Sequence, residues 1–343
     1  MRSSTRNPVV LGTIIVGLAA AMLAPGAAIS QTTAPEPLSQ AQPEAPTNRF
    51  GMPIEGWAIV RYSVLPDGTT DDVRVIDRMP LTIPEKDMRN AVESWTFKPA
   101  MSGGKAVEWH HGEAVIRLDA EQVPSEPSQM FVRGYREVEG LIEMGELKDA
   151  LQRNQRLLGM ETSRLAEMGV GLVQAARINM AMDNMYEAYA AIERATDPRL
   201  MLLEQSELPV ALQYRNTLEL ELGDYVGALA TLARREEMGP VPSTDVMESN
   251  VAKIKTALDG DAAIAIKGKI IDDTWTHDLS RRTIAIGDLE GSLKTIALNC
   301  DYGGAEFEFS IESEWGLPES WGACTVTVSG KKDSEFNLYE FKN

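Results

Sequence analysis

The sequence predicts an α+β chain of three successive parts: a ββαβ unit, a run of α-helical hairpins, and a C-terminal antiparallel β-domain closed by one disulfide. Three observations carry that expectation. Apolar residues alternate with a two-residue period from Gly56 to Leu118, change to three- and four-residue steps from Ser128 to Leu258, and return to a two-residue period from Ala262. The 343 residues allow two or three domains with full cores. An apolar share of 43% and a charged share of 24% are ordinary for a soluble globular protein. The expected boundaries are 1–30, 31–50, 51–119, 120–127, 128–260 and 261–343.

Residues 1–30 read as an export signal. Arg2 and Arg6 form a positive start, Val9 to Leu23 is an apolar run, and Ala28 and Ser30 fit a cut before Gln31. The alternative is an uncleaved inner-membrane anchor, because the apolar stretch through Ile29 is nearly long enough to span. Residues 31–50 are rich in Pro, Gln, Thr and Ala with little to bury, so they read as a flexible tether. Fully stretched it reaches roughly 60 Å.

From Gly56 onward, Ala58, Val60, Tyr62 and Val64 alternate with Trp57, Ile59, Arg61 and Ser63, as in a strand with one face well buried. Pro66-Asp67-Gly68 supplies a turn, and Val73, Val75 and Ile76 a second strand. Pro84 fits the first position of a helix, with Glu85 and Asp87 at the positive end of its dipole. Met88, Ala91, Val92 and Trp95 then form one helical stripe before a third strand ending at Leu118.

This segment resembles the C-terminal domain of TonB, the periplasmic energy transducer that engages outer-membrane transporters. The matching residues are Gly56, Val60, Tyr62, Val64, Asp67-Gly68, Val73, Val75, Pro80, Ala91-Val92 and Trp95-x-Phe97-x-Pro99-Ala100. The resemblance implies an open last strand that accepts an extended peptide by β-strand addition. Carried over, that edge runs from Val107 to Leu118, with Val107, Trp109, His111, Val115 and Arg117 as partner-binding positions. The other reading is an edge capped by the linker or the helices. Protein or peptide partners in the cell envelope follow, with an outer-membrane transporter among them. Three departures set a binding role before energy transduction: no histidine precedes His110, the tether is short, and the domain is not C-terminal.

In the helical stretch, GELKDAL (145–151), DNMYEAY (183–189) and GDYVGAL (223–229) place Ala150, Ala188 and Ala228 at equivalent points. A small residue there lets two helices approach closely. The pattern resembles tetratricopeptide-type hairpins, although the spacing is longer than their usual one. Most of the abundant methionines read as core, with Met180, Met182 and Met185 the cluster to watch.

In the C-terminal part, Glu306 to Ile311, Cys324 to Val328 and Phe336 to Leu338 alternate between turn residues, which suggests a sandwich or a meander. Cys300 and Cys324 lie in phase with inward positions and read as a disulfide between two strands, worth about 3 kcal/mol. A metal or redox pair would need closer spacing.

No catalytic set emerges. Phosphate-loop, dinucleotide, zinc-protease and nucleophile-elbow motifs are missing from the sequence. The S-x-x-K of Ser102 and Lys105 falls in a loop, and adjacent His110 and His111 on a strand point to opposite faces, which disfavours a shared metal. A net charge of −18 disfavours nucleic acid. The expectation is a non-enzyme without cofactor or metal that binds protein partners in the periplasm. An inner-membrane-anchored transducer is the first alternative, and an exported enzyme the second.

Overall fold

The computed structural model describes residues 32–119, 127–161, 163–239, 245–271, 273–301, 303–310 and 314–342. The expected signal or anchor at 1–30 and most of the 120–127 linker lie outside these residues.

Residues 32–50 depart from the expected tether. Strands β1 (Thr32–Thr33) and β2 (Glu36–Ser39) form here, and the Trp95 indole donates to the Ala41 carbonyl at 2.8 Å. The chain supplies its own partner for a segment too polar to build a core. Backbone pairing, which needs no apolar side chains, holds it.

The ββαβ unit then follows the sequence pattern. Strands β3 (Gly56–Val64) and β4 (Thr70–Met79) make an antiparallel hairpin, and α1 (Glu85–Glu93) packs across it. Between α1 and the last strand come β5 (Thr96–Lys98), β6 (Ala100–Ser102) and β7 (Lys105–Val107), followed by β8 (Trp109–Leu118). β2 pairs with β5, and β1 pairs with β6 in a sheet ordered β1-β6-β7. The main sheet has the order β4-β3-β8. Its inner face carries Ala58, Val60, Tyr62, Val64, Ile116 and Leu118 onto Met88, Val92 and Trp95.

Two stretches of sequence bend this sheet. Gly68 takes φ +87° in the β3–β4 turn, where a Cβ would lie 2.1 Å from the Phe97 carbonyl oxygen. The pairings Tyr62↔Gly112 and Val64↔Trp109 leave one extra residue on β8. That bulge matters for the site.

The helical region contains α2 (Gln129–Glu143), α3 (Leu147–Leu158), α4 (Leu165–Ala181), α5 (Met185–Thr196), α6 (Leu208–Leu222), α7 (Tyr225–Glu237) and α8 (Asp245–Asp259). Each packs on the next in chain order, so three hairpins form from α2 to α7. Ala150, Ala188 and Ala228 are fully buried at equivalent points of α3, α5 and α7. Buried amides fix the hairpins: Asn154 donates to the Gly171 carbonyl and Gln174, and Asn216 to the Ala228 carbonyl. Met180 and Met185 are half-buried against the central core, and Met182 against a smaller cluster around Ile178.

The C-terminal part is a β-sandwich. Its strands are β9 (Ile264–Lys269), β10 (Thr274–Asp278), β11 (Thr283–Glu290), β12 (Leu293–Cys300), β13 (Gly303–Glu308), β14 (Glu314–Gly316), β15 (Cys324–Gly330) and β16 (Glu335–Phe341). One sheet has the order β10-β15-β12-β13 and the other β14-β11-β16-β9. Ile266, Ile284, Ile296, Leu298, Val326, Val328 and Leu338 meet between them. Glu306 and Glu308 face outward on β13, an edge strand, where like charges discourage pairing with another chain. Cys300 and Cys324 are directly opposed on β12 and β15 and joined by a disulfide. Reduction, or the Cys300→Ser/Cys324→Ser double variant, is expected to lower stability by about 3 kcal/mol for this 24-residue separation. Urea unfolding with and without reductant checks this; coincident transitions would show that the bond contributes nothing.

The described residues form one compact unit. Its central core joins Trp57 of β3 to Leu158, Leu165, Met168 and Leu172 of the helices, with Ile59, Met79 and Val115 packed around it. Glu55 accepts a hydrogen bond from the Leu165 amide at the start of α4, where the helix dipole favours a carboxylate. The outer face of the β4-β3-β8 sheet is therefore a packing surface.

Candidate functional site

The site built around β8 combines a free backbone edge with an occupied face. β8 pairs with β3 on one side, and among the described residues no strand pairs with the other. Alternate N–H and C=O groups on that side are directed away from the sheet.

The sequence-predicted residues are not gathered on one face. Val107 ends β7 and pairs with Ala100, two residues before β8 begins, so it is not part of the edge strand. The intervening Glu108 breaks the run. Trp109 packs with the inner core beside α1. Val115 and Arg117 project from the opposite face, Val115 into the helical core. The expected alternation places Trp109, Val115 and Arg117 together, but the extra residue between Trp109 and Gly112 inverts the parity. His111 lies on β8, and its side chain is outside the described residues.

Gly112 is required where the bulge ends. A Cβ there would come within 2.5 Å of the Tyr62 ring. His110 projects nearby, with its Nδ1 3.3 Å from Ser63 Oγ and 3.5 Å from a Glu108 carboxylate oxygen.

Polar contacts lock the other end of β8 against the helices. The Arg117 guanidinium donates to the Leu200 and Met201 carbonyls in the α5–α6 loop and pairs with Asp119 at 2.9 Å. Arg199 of that loop reaches Glu113 at 2.8 Å, and Arg61 of β3 approaches the same carboxylate at 3.2 Å. Asp77 of β4 pairs with Arg194 of α5 at 2.5 Å. Such pairs contribute little individually when exposed, but shared carboxylates in a half-buried network fix relative orientation.

Residues 44–116 match the family of the Gram-negative bacterial TonB protein C-terminal. The relatives agree with that match. Protein TonB of Escherichia coli K12 is 32% identical over 78 residues, which is 23% of this chain and 33% of that protein. Protein TonB of Pseudomonas aeruginosa is 33% identical over 72 residues, 21% of each chain. The solution structure of the Pseudomonas aeruginosa TonB C-terminal domain aligns at 27% identity over 28% of this chain and 92% of that one, with a TM-score of 0.23. The chain spans a third or less of the length of these two TonB relatives. The TonB-like segment thus contains β3, β4, α1 and most of β8, and the helices and sandwich lie beyond it.

Other titratable groups cluster away from β8. In the sandwich, buried His277 stands 3.5 Å from Glu340 and 3.7 Å from Asp224, while Ser280 donates to Glu340. Glu340 thus holds both the serine hydroxyl and the imidazole in place. Ser102 and Lys105 close the β6–β7 hairpin as a cross-strand pair. Among the described residues no group of three or more His, Cys, Asp or Glu side chains is placed to hold a metal.

Proposed function

We propose that this chain is a non-enzymatic periplasmic protein that binds an extended protein or peptide segment at the outer edge of β8, in the service of outer-membrane transport. The unpaired backbone edge of β8, within a segment matching TonB C-terminal domains, supports this reading. Main-chain hydrogen bonds supply affinity in such strand addition, and alternate side chains supply selectivity. The helical hairpins, read as tetratricopeptide-like, and the sandwich brace the segment from behind. The occupied outer face favours a rigid adaptor over a mobile transducer head, because Trp57, Arg117 and Glu113 tie the sheet to the helices.

Proline scanning tests the proposal. Of two adjacent residues on an edge strand, one directs its N–H to the neighbour and the other outward. Of Glu113→Pro and Ala114→Pro, the variant whose lost N–H faces outward is expected to stay close to the wild-type melting temperature, since no ladder bond is removed and neither side chain is fully buried. That variant is expected to bind extended peptides from the periplasmic ends of outer-membrane transporters at least about tenfold more weakly, in anisotropy titrations on the full chain. Unchanged peptide affinity in the thermally intact variant would reject the β8 edge as the binding element.

A further inference from the structure

We propose that the cavity between α5 and strands β9–β10 binds an α-amino acid, free or within a short peptide, by pairing its ammonium with Glu193 and its carboxylate with Lys267. The cavity has a volume of about 180 Å³ and adjoins a wider cleft of about 460 Å³ leading to the β3–β4–β8 sheet. Ala190, Glu193, Ile271 and Thr276 line both spaces, so they are continuous.

One wall is a helical stripe. Tyr186, Tyr189, Ala190 and Glu193 recur at i, i+3, i+4 and i+7 on α5, which puts two aromatic rings and a carboxylate along one line. Trp275 of β10 faces in from the sandwich, and its ring is stacked on His277. These rings offer an apolar surface to a side chain and an attractive face to a cation.

The charges decide the ligand. Four charged side chains line the smaller cavity: Glu193, Asp224, Lys267 and Lys269. Lys269 is already neutralised, at 2.9 Å from Glu187 and 3.2 Å from Glu335, and lies over the Tyr186 ring. Asp224 caps α7 by accepting from the Gly227 amide at 2.7 Å and lies beside His277. Glu193 and Lys267 remain. Among the described residues neither side chain has a hydrogen bond or an ion pair within 4.0 Å. Glu193 is exposed to the cleft. Its carboxyl is raised above the usual range by desolvation, with Arg215 and Arg194 drawing it down and Asp197 and Asp224 pushing it up. A carboxylate in such a place gains from a cationic partner. A simple cation would leave Lys267 without a direct partner, and a simple anion would leave Glu193 so. A zwitterion satisfies both.

Calorimetric titration of the full chain with L-leucine, L-leucinamide, N-acetyl-L-leucine and leucyl-leucine tests the assignment. Leucine or the dipeptide is expected to bind, with the amide and the N-acetyl compound weaker by about tenfold or more, because each lacks one charge. Glu193→Gln is expected to weaken leucine and leucinamide but leave N-acetylleucine unchanged. Lys267→Met is expected to weaken leucine and N-acetylleucine but leave leucinamide unchanged. Both side chains lie on accessible surface, so both variants are expected to retain the wild-type melting temperature. Tighter binding of leucyl-leucine than leucine would make a peptide the ligand source, and the reverse would make it the free amino acid. Absence of heat with leucine and leucyl-leucine at millimolar concentration, or wild-type leucine affinity in both variants, would overturn the proposal.

Discussion

Replacing Trp57 with alanine is expected to lower the unfolding free energy by about 3–5 kcal/mol, the range for truncating a fully buried large aromatic. Trp57 is 0% exposed although it stands on the face of β3 opposite the α1 core. It is enclosed by Leu158, Leu165 and Met168, so truncation leaves a cavity where the sheet meets the helices. The indole nitrogen has no hydrogen-bond partner among the described residues. Trp57→Phe therefore keeps most of the apolar contact and loses no bond, and is expected to cost much less than the alanine variant. Urea unfolding of both variants gives the comparison. Equal, small losses in the two would show that the sheet and helices are not packed through this side chain.

The second large effect is a pH dependence centred on Glu219. Its carboxyl is pushed up to about 7 by desolvation on α6, against the pull of Arg215, which donates at 2.8 Å, and of the Thr231 hydroxyl at 2.9 Å. The ordinary value is 4.5. Between those values the folded protein retains a proton that the unfolded chain has released. The stabilisation is therefore complete below about pH 4.5, falls as pH rises through 7, and is absent above it. A shift of this size corresponds to about 3 kcal/mol across the window. Glu219→Gln removes the titration, so its unfolding free energy is expected to lose less between pH 4.5 and 7.5 than that of the wild type. The slope is the readout, because the substitution also alters the partner of Arg215. Parallel profiles for the two proteins would contradict the assignment.

How legible these features were depends on their physical origin. Alternation at Ala58, Val60, Tyr62 and Val64 reads directly as an inward strand face, since side-chain direction has a period of two. The helical stripe of Met88, Val92 and Trp95 is similarly clear, as are the small residues Ala150, Ala188 and Ala228 where helices touch. Cys300 and Cys324 sit in phase with their inward neighbours and meet across β12 and β15. The bulge in β8 was not legible. A single extra residue is invisible to a periodic pattern and transfers Trp109 to the face opposite Val115 and Arg117.

The second buried face of the first sheet also has a signal in the sequence. Trp57 and Ile59 are too apolar for a solvated face, whereas Arg61 and Ser63 beyond them are polar. That gradient marks where the helices cover the sheet and where the cleft begins. Residues 32–50 misled in the other direction. They pair through their backbones, which composition does not report. Glu193 and Lys267 are ordinary surface charges in the sequence and become a pair of opposed walls only when α5 and β9 are brought together.

The most direct test of strand addition at β8 is residue-resolved amide hydrogen exchange of the full chain, with and without an extended transporter peptide. The account predicts that alternate amides between Trp109 and Leu118, those facing away from β3, exchange quickly in the free protein and become protected in the complex. Amides on the exposed edge of β4 are predicted to stay unchanged. Protection confined to β4, or to the helices with no change along β8, would contradict it.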